Sequence, residues 1–242
     1  MNIWKKTHIL GLGFTIYFGP FLHGQKKAEG TRKIQEKITK SSSLMLPAKK
    51  IESLQANLFQ HEAVKLNFKQ TVYRSLRKKT MTSYGEAYFL KPNGFRWTLM
   101  QPKKDSWLYN GKDLFLVSEQ SKEAIRYKSG ANKEKELKQL VNMVINLKEL
   151  LKRYELVESS QDKDNYYLEL EPRKDIYYGD DIEKIQLKIY ENTKTKEAVV
   201  EKLKLYFRGD NTSLFEFTKI AKEKADIKQV SPPPGIKIIN AL

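Results

Sequence analysis

The sequence predicts an α+β, mainly β fold: a strongly curved antiparallel sheet of about 11 strands, an incomplete barrel, covered by a lid of helices. Three observations lead there. Apolar residues alternate with polar ones in many short runs, turn signals separate those runs, and only two segments carry a helical period.

The chain has 242 residues and a formal net charge of +16, from 45 Lys+Arg against 29 Asp+Glu. The length suits one large β-rich domain. The basic surplus is scattered lysine rather than arginine blocks, as on a solvated face, although it would favour an anionic partner. There is no cysteine, which excludes disulfides, zinc thiolates, cysteine nucleophiles and acylation of the chain on cysteine.

Residues 1–24 read as a signal peptide. Lys5 and Lys6 precede Ile9–Leu22, an uncharged apolar stretch too short to span a bilayer, which needs about 20 residues. An uncleaved anchor is the alternative. Residues 25–47 read as a flexible, lysine- and serine-rich lead-in, and residues 48–242 as one domain. Ile51, Leu54 and Leu58 recur at intervals of three and four, predicting a short amphipathic helix from Ala48 to Phe59.

The period then drops to two. Val64, Leu66 and Phe68 alternate with lysine and asparagine, and Phe95, Trp97 and Leu99 with Arg96, Thr98 and Met100. Ile185/Leu187/Ile189 and Leu203/Leu205/Phe207 repeat the pattern. Asn93-Gly94, Asn110-Gly111 and Gly209-Asp210-Asn211 supply residues that tolerate positive φ at hairpin turns. One long helix is expected between Lys133 and Arg153, with Leu137, Leu140, Val141, Val144, Leu147 and Leu151 on one stripe. Ile236–Ile239 reads as an apolar stub after Pro232-Pro233-Pro234.

Catalytic chemistry is not legible. His61 would be the single histidine of the exported chain, and no nucleophile elbow, P-loop, zincin or EF-hand spacing occurs. No enzyme, metal or cofactor is expected. The aromatic load of Tyr84–Phe115 instead suggests a curved wall with more apolar surface than two helices can fill, leaving a ligand cavity.

Phe68-x-Gln70, then Gly85-Glu86-Ala87-Tyr88-Phe89-Leu90-Lys91-Pro92-Asn93-Gly94-Phe95-Arg96-Trp97, then Gln101-Pro102 and Asn110–Phe115 resemble, in order and spacing, the outer-membrane lipoprotein carrier (LolA) family. Pro234-Gly235-Ile236-Lys237-Ile238-Ile239 is similar to its closing segment. The resemblance implies a periplasmic carrier that takes the acyl chains of lipoproteins from an inner-membrane ABC transporter to a possible outer-membrane acceptor, as a monomer and without nucleic acid. On it, Leu54, Leu58, Phe68, Tyr88, Phe95, Trp97, Leu99, Trp107, Phe115, Val144 and Leu147 would line the lipid site. Lys91 and Arg96 would serve at the lid or rim; Lys91 stands where the family often has arginine and lacks its planar fork. The other readings are an envelope sensor or scaffold on the same fold, and a single-strand nucleic-acid binder using basic and aromatic groups.

Overall fold

A computed structural model describes residues 45–101, 104–118, 120–174 and 181–241. The expected signal peptide and nearly all of the lead-in lie outside them. The strands are β1 (Ala63–Arg74), β2 (Lys79–Leu90), β3 (Gly94–Gln101), β4 (Asp105–Asn110), β5 (Leu114–Ser118), β6 (Glu123–Tyr127), β7 (Tyr154–Asp162), β8 (Asn165–Pro172), β9 (Ile182–Glu191), β10 (Ala198–Phe207), β11 (Asn211–Glu223) and β12 (Lys237–Asn240). The helices are α1 (Ala48–Asn57), α2 (Asn132–Ile145) and α3 (Leu147–Arg153), with a 3-10 turn at Ile227–Val230.

All twelve strands join one curved, open sheet in the order β12-β6-β5-β4-β3-β2-β1-β11-β10-β9-β8-β7. The expected antiparallel meander is present, its two halves joined in the middle by β1 against β11. The strand count is twelve rather than about eleven. The added strand is the apolar stub: β12 pairs in parallel with β6, Ile238 opposite Ala124 and Ile239 opposite Ile125.

The long helix also differs from expectation. It breaks at Asn146, whose side chain accepts a hydrogen bond from the Glu149 N–H and starts α3 afresh. The break shifts the phase of the apolar stripe, so Leu147 and Leu150 are buried while Leu151 is only half-buried. Asn146→Ala is expected to cost about 1 kcal/mol, read as a lowered midpoint in thermal unfolding.

Register tells which residues share a face. Leu66 sits opposite Ala87, Ala87 opposite Trp97, and Trp97 opposite Trp107. On the other side Phe68 faces Phe217, while Phe215 faces Leu203, Leu203 faces Leu187, and Leu187 faces Leu168. These residues form one nearly continuous apolar wall from β4 to β8, and every one of them is buried.

The opposite face has two characters. Over β7–β11 it is a solvated lattice of ion pairs, among them Lys184–Glu169, Lys188–Glu201 and Lys202–Glu216. This is where much of the scattered lysine lies. Over β2–β6 it is covered by the C-terminal segment: the 3-10 turn packs on β2, β3 and β4, Val230 is buried against Tyr88, and Ile236 packs on Leu108, Phe115, Val117 and Ala124.

Candidate functional site: the covered apolar wall

Three lysine contacts place the helices. Lys50 of α1 lies 4.4 Å above the Tyr166 ring, and Lys138 and Lys133 of α2 lie 4.2 and 5.7 Å above Tyr109 and Trp107. Tyr166 shares a face with Leu168, and Tyr109 with Trp107, so α1 and α2 both cover the wall, at opposite ends.

The centre of the wall is aromatic. Phe68 stacks on Trp97 at 4.4 Å, Phe215 meets Trp97 edge-on at 5.7 Å, and Phe217 stacks on Phe215 at 6.1 Å. Such pairs contribute about 0.5–1.5 kcal/mol each beyond the area they bury. A glycine makes the arrangement possible. A Cβ at Gly85 would lie 2.2 Å from Phe68 Cζ and 2.3 Å from the Thr98 carbonyl oxygen, so only a bare backbone lets the Phe68 ring cross β2 to reach Trp97.

Three polar atoms within this apolar region have no hydrogen-bond partner: Trp97 Nε1, Trp107 Nε1 and Asp105 Oδ1. Asp105 is paired with Leu99 and lies two residues before Trp107, so all three groups belong to one face of β3 and β4. Buried polar atoms are nearly always paired in folded proteins, which makes this cluster unusual.

Two buried glutamates hold the lysines that sit over the wall: Glu191 of β9 ties Lys50 of α1 to the sheet, and Glu134, within α2, steadies Lys138 over Tyr109. Glu191, 3% exposed at the end of β9, accepts from Lys50 of α1, from Asn57 at 3.0 Å and from the Tyr166 hydroxyl at 3.2 Å. Glu134, also 3% exposed, accepts from the Gly130 N–H at 2.7 Å and from Lys138 at 2.5 Å. Each latch therefore joins a glutamate, a lysine and a tyrosine of the wall. Burial alone would raise the pKa of Glu191, but the hydrogen bonds from Lys50 and Asn57 outweigh it and hold the carboxyl below the usual range. A lowered folded-state pKa adds stability that is present at neutral pH and is lost as pH falls through that lowered value. Protection of the α1 amides, taken relative to the intrinsic exchange rate at each pH, is expected to fall in acid, below the ordinary glutamate range, and to be flat from pH 6 to 8.

Of the residues expected at the lipid site, Phe68, Phe95, Trp97, Leu99 and Trp107 share the wall, and Leu54, Leu58, Val144 and Leu147 are buried on the covering segments. Tyr88 and Phe115 do not join them. Tyr88 pairs with Arg96 on the opposite face, where its hydroxyl donates to the Lys224 carbonyl. Phe115 pairs with Leu108 and packs under Ile236. Arg96 lies on that same outer face, 6.0 Å from the Tyr88 ring, and Lys91 is an exposed turn residue whose N–H donates to the Glu62 carbonyl. The latches are instead Lys50–Glu191 and Lys138–Glu134. The second has a visible signal, an i, i+4 pair on the predicted helix; the first joins residues 141 apart and has none.

Among the described residues, three cavities bear on the expected ligand cavity. A groove of about 600 Å³ runs along the polar side of α2 and α3, and a crevice of about 220 Å³ lies on the outer face by Arg96 and Ile236. A third, also about 220 Å³, opens at the end of the wall beside α1, among Phe59, Val64, Ala198 and Ala221. None of the three runs between the helices and the wall's centre. The third touches the wall but is smaller than the roughly 300–1,000 Å³ of a ligand site. His61 stands at its rim, 2.9 Å from Glu197, which also pairs with Lys222.

No curated protein matches the chain by sequence. Among solved structures it is similar to a LolA superfamily protein from Nitrosomonas europaea, with 12% identity, a TM-score of 0.44, and coverage of 76% of this chain and 97% of that one. A putative outer membrane lipoprotein-sorting protein domain from Vibrio parahaemolyticus gives 10%, 0.39, 76% and 98%. MucB gives 13%, 0.43, 78% and 63%, and is also known in a Pseudomonas aeruginosa complex with MucA. The family model described as outer membrane lipoprotein carrier protein LolA matches residues 60–229, well over half of the chain, and the protein belongs to that family.

Proposed function

We propose that the protein is a periplasmic carrier of acylated lipoproteins, which receives their hydrocarbon chains on the wall beneath α1–α3. The observation that carries this reading is the wall itself: an apolar surface running across the sheet from β4 to β8, covered by short helices held through two polar latches. Family membership supports it.

In this reading the arrangement is a closed one, with the wall covered by its own rings and by the helices. An acyl chain reaches it only when α1 or α2 lifts. The energetics allow that exchange. Each methylene withdrawn from water is worth about 0.8 kcal/mol, so one long chain repays both the opening of a latch and the exposure of a helix face. Once the helices lift, the Trp97 and Trp107 indole N–H groups gain access to an ester or amide carbonyl, the polar junction that every acyl chain carries. A donor in the inner membrane and an acceptor at the outer membrane follow from the carrier role.

Binding of a synthetic triacylated lipopeptide, compared with the same peptide lacking its acyl chains, tests the reading. The acylated peptide is expected to bind at least a hundredfold more tightly and to add protection to β3 and β4 in amide exchange. Equal affinity for the two peptides would remove the function.

A further inference from the structure

The β1–β2 hairpin outgrows its neighbour. The last pair between β2 and β3 is Tyr84 with Gln101, so Lys79–Ser83 extend beyond β3. The turn is held upright from one side, because Ser75 donates through its N–H to Asn211 Oδ1 at 3.1 Å and through its hydroxyl to the Gly209 carbonyl. The tip is thus a fixed projection supported by the β10–β11 turn.

Its composition is unlike that of an ordinary turn. Leu76, at the apex, is 83% exposed, the highest value among the exposed large hydrophobic residues described. Met81, Tyr73 and Tyr84 are exposed below it, at 42%, 37% and 49%. Arg77, Lys78 and Lys79 follow Leu76 directly and are exposed, and exposed Arg208 belongs to the supporting turn; Asp210 is the acidic residue there. An apical leucine with cations beside it and exposed tyrosines further along the hairpin suits a bilayer surface, where hydrocarbon gives way to a head-group zone that attracts cations and accommodates tyrosine rings. An acidic protein would complement the cations but gives no reason for so exposed a leucine at the apex.

We propose that this hairpin tip is a docking surface for an anionic lipid bilayer, with Leu76 entering the acyl boundary and Arg77, Lys78 and Lys79 meeting head-group phosphates. This goes beyond the carrier reading and stands on different residues, so failure of lipopeptide binding would leave it in place.

The cysteine-free chain makes a local test clean. A Leu76→Cys variant of the full chain is labelled with an environment-sensitive fluorophore; a Lys163→Cys variant, at the β7–β8 turn, serves as the reference. Vesicles of 70% phosphatidylcholine and 30% phosphatidylglycerol are expected to blue-shift the label at position 76 and not that at position 163. The shift should vanish on pure phosphatidylcholine and fall about tenfold or more in vesicle affinity when Arg77→Glu, Lys78→Glu and Lys79→Glu are combined. No shift at 76, an equal shift at 163, or an equal response to neutral vesicles would each overturn the proposal, whatever the residues before position 45 do to bulk vesicle binding.

Discussion

Replacing Gly85 with valine is expected to destabilise the domain by several kcal/mol. The added Cβ would fall 2.2 Å from Phe68 Cζ and 2.3 Å from the Thr98 carbonyl oxygen. The ring could rotate away, but only by abandoning its 4.4 Å stack on Trp97 and opening a gap beside Phe215. The carbonyl belongs to the backbone of β3 and yields only if the sheet shifts. Overpacking of this kind costs about 1–3 kcal/mol, and the lost aromatic pairing adds about 1 more. At about 2–4 °C per kcal/mol for a domain of this size, the thermal midpoint should fall by roughly 4–16 °C, and less for Gly85→Ala. A midpoint within 1 °C of the parent would show that Phe68 does not cross β2 as described.

Glu191→Leu should free α1 without unfolding the sheet. The carboxylate is the common acceptor of Lys50, Asn57 and the Tyr166 hydroxyl, so leucine fills the space and leaves three donors without their acceptor. Breaking a wholly buried pair costs about 3–5 kcal/mol. Lys50 retains partial access to water, which reduces the expected cost to about 2 kcal/mol. That corresponds to about thirtyfold faster amide exchange in α1, with β3 and β9 unchanged. Glu191→Gln keeps an acceptor oxygen and should fall between. The same latch predicts faster uptake of acylated ligand by the leucine variant, because the covering helix opens more often.

The sheet was legible because its strands keep a period of two over long runs, as in Ile185/Leu187/Ile189 and Leu203/Leu205. The faces were legible only where one side is wet. In β4, five consecutive residues from Asp105 to Tyr109 are buried, because the helices cover one face and the C-terminal segment covers the other. Alternation is silent in such a strand, and Tyr88 and Phe115 look like wall residues although they sit behind it. The segment that hides them is a long-range partner: nothing local in Ile236–Ile239 announces a parallel strand beside β6. Asn146 interrupts a stripe whose apolar spacing continues on both sides, and its side-chain cap is the physical reason for the break.

The latches were illegible for a different reason. Glu191 continues the buried phase of Ile185, Leu187 and Ile189, but nothing local in β9 announces that its partner is Lys50 of α1. The resemblance drew attention to Lys91 and Arg96 as lid residues. Here that work falls to lysines on the helices, which reach tyrosine faces at both ends of the wall and, at one end, a buried glutamate of β9.

The most direct measurement of the central claim uses Lys50→Cys with Glu191→Cys, the only two cysteines the chain would then contain. A short reducible thiol-to-thiol linker replaces the polar latch by a covalent one. With the linker cut, the triacylated lipopeptide should bind at least as well as it does to the parent protein. With it intact, α1 stays over the wall, and affinity should fall tenfold or more. Equal binding in the two states would mean that acyl chains do not pass beneath α1.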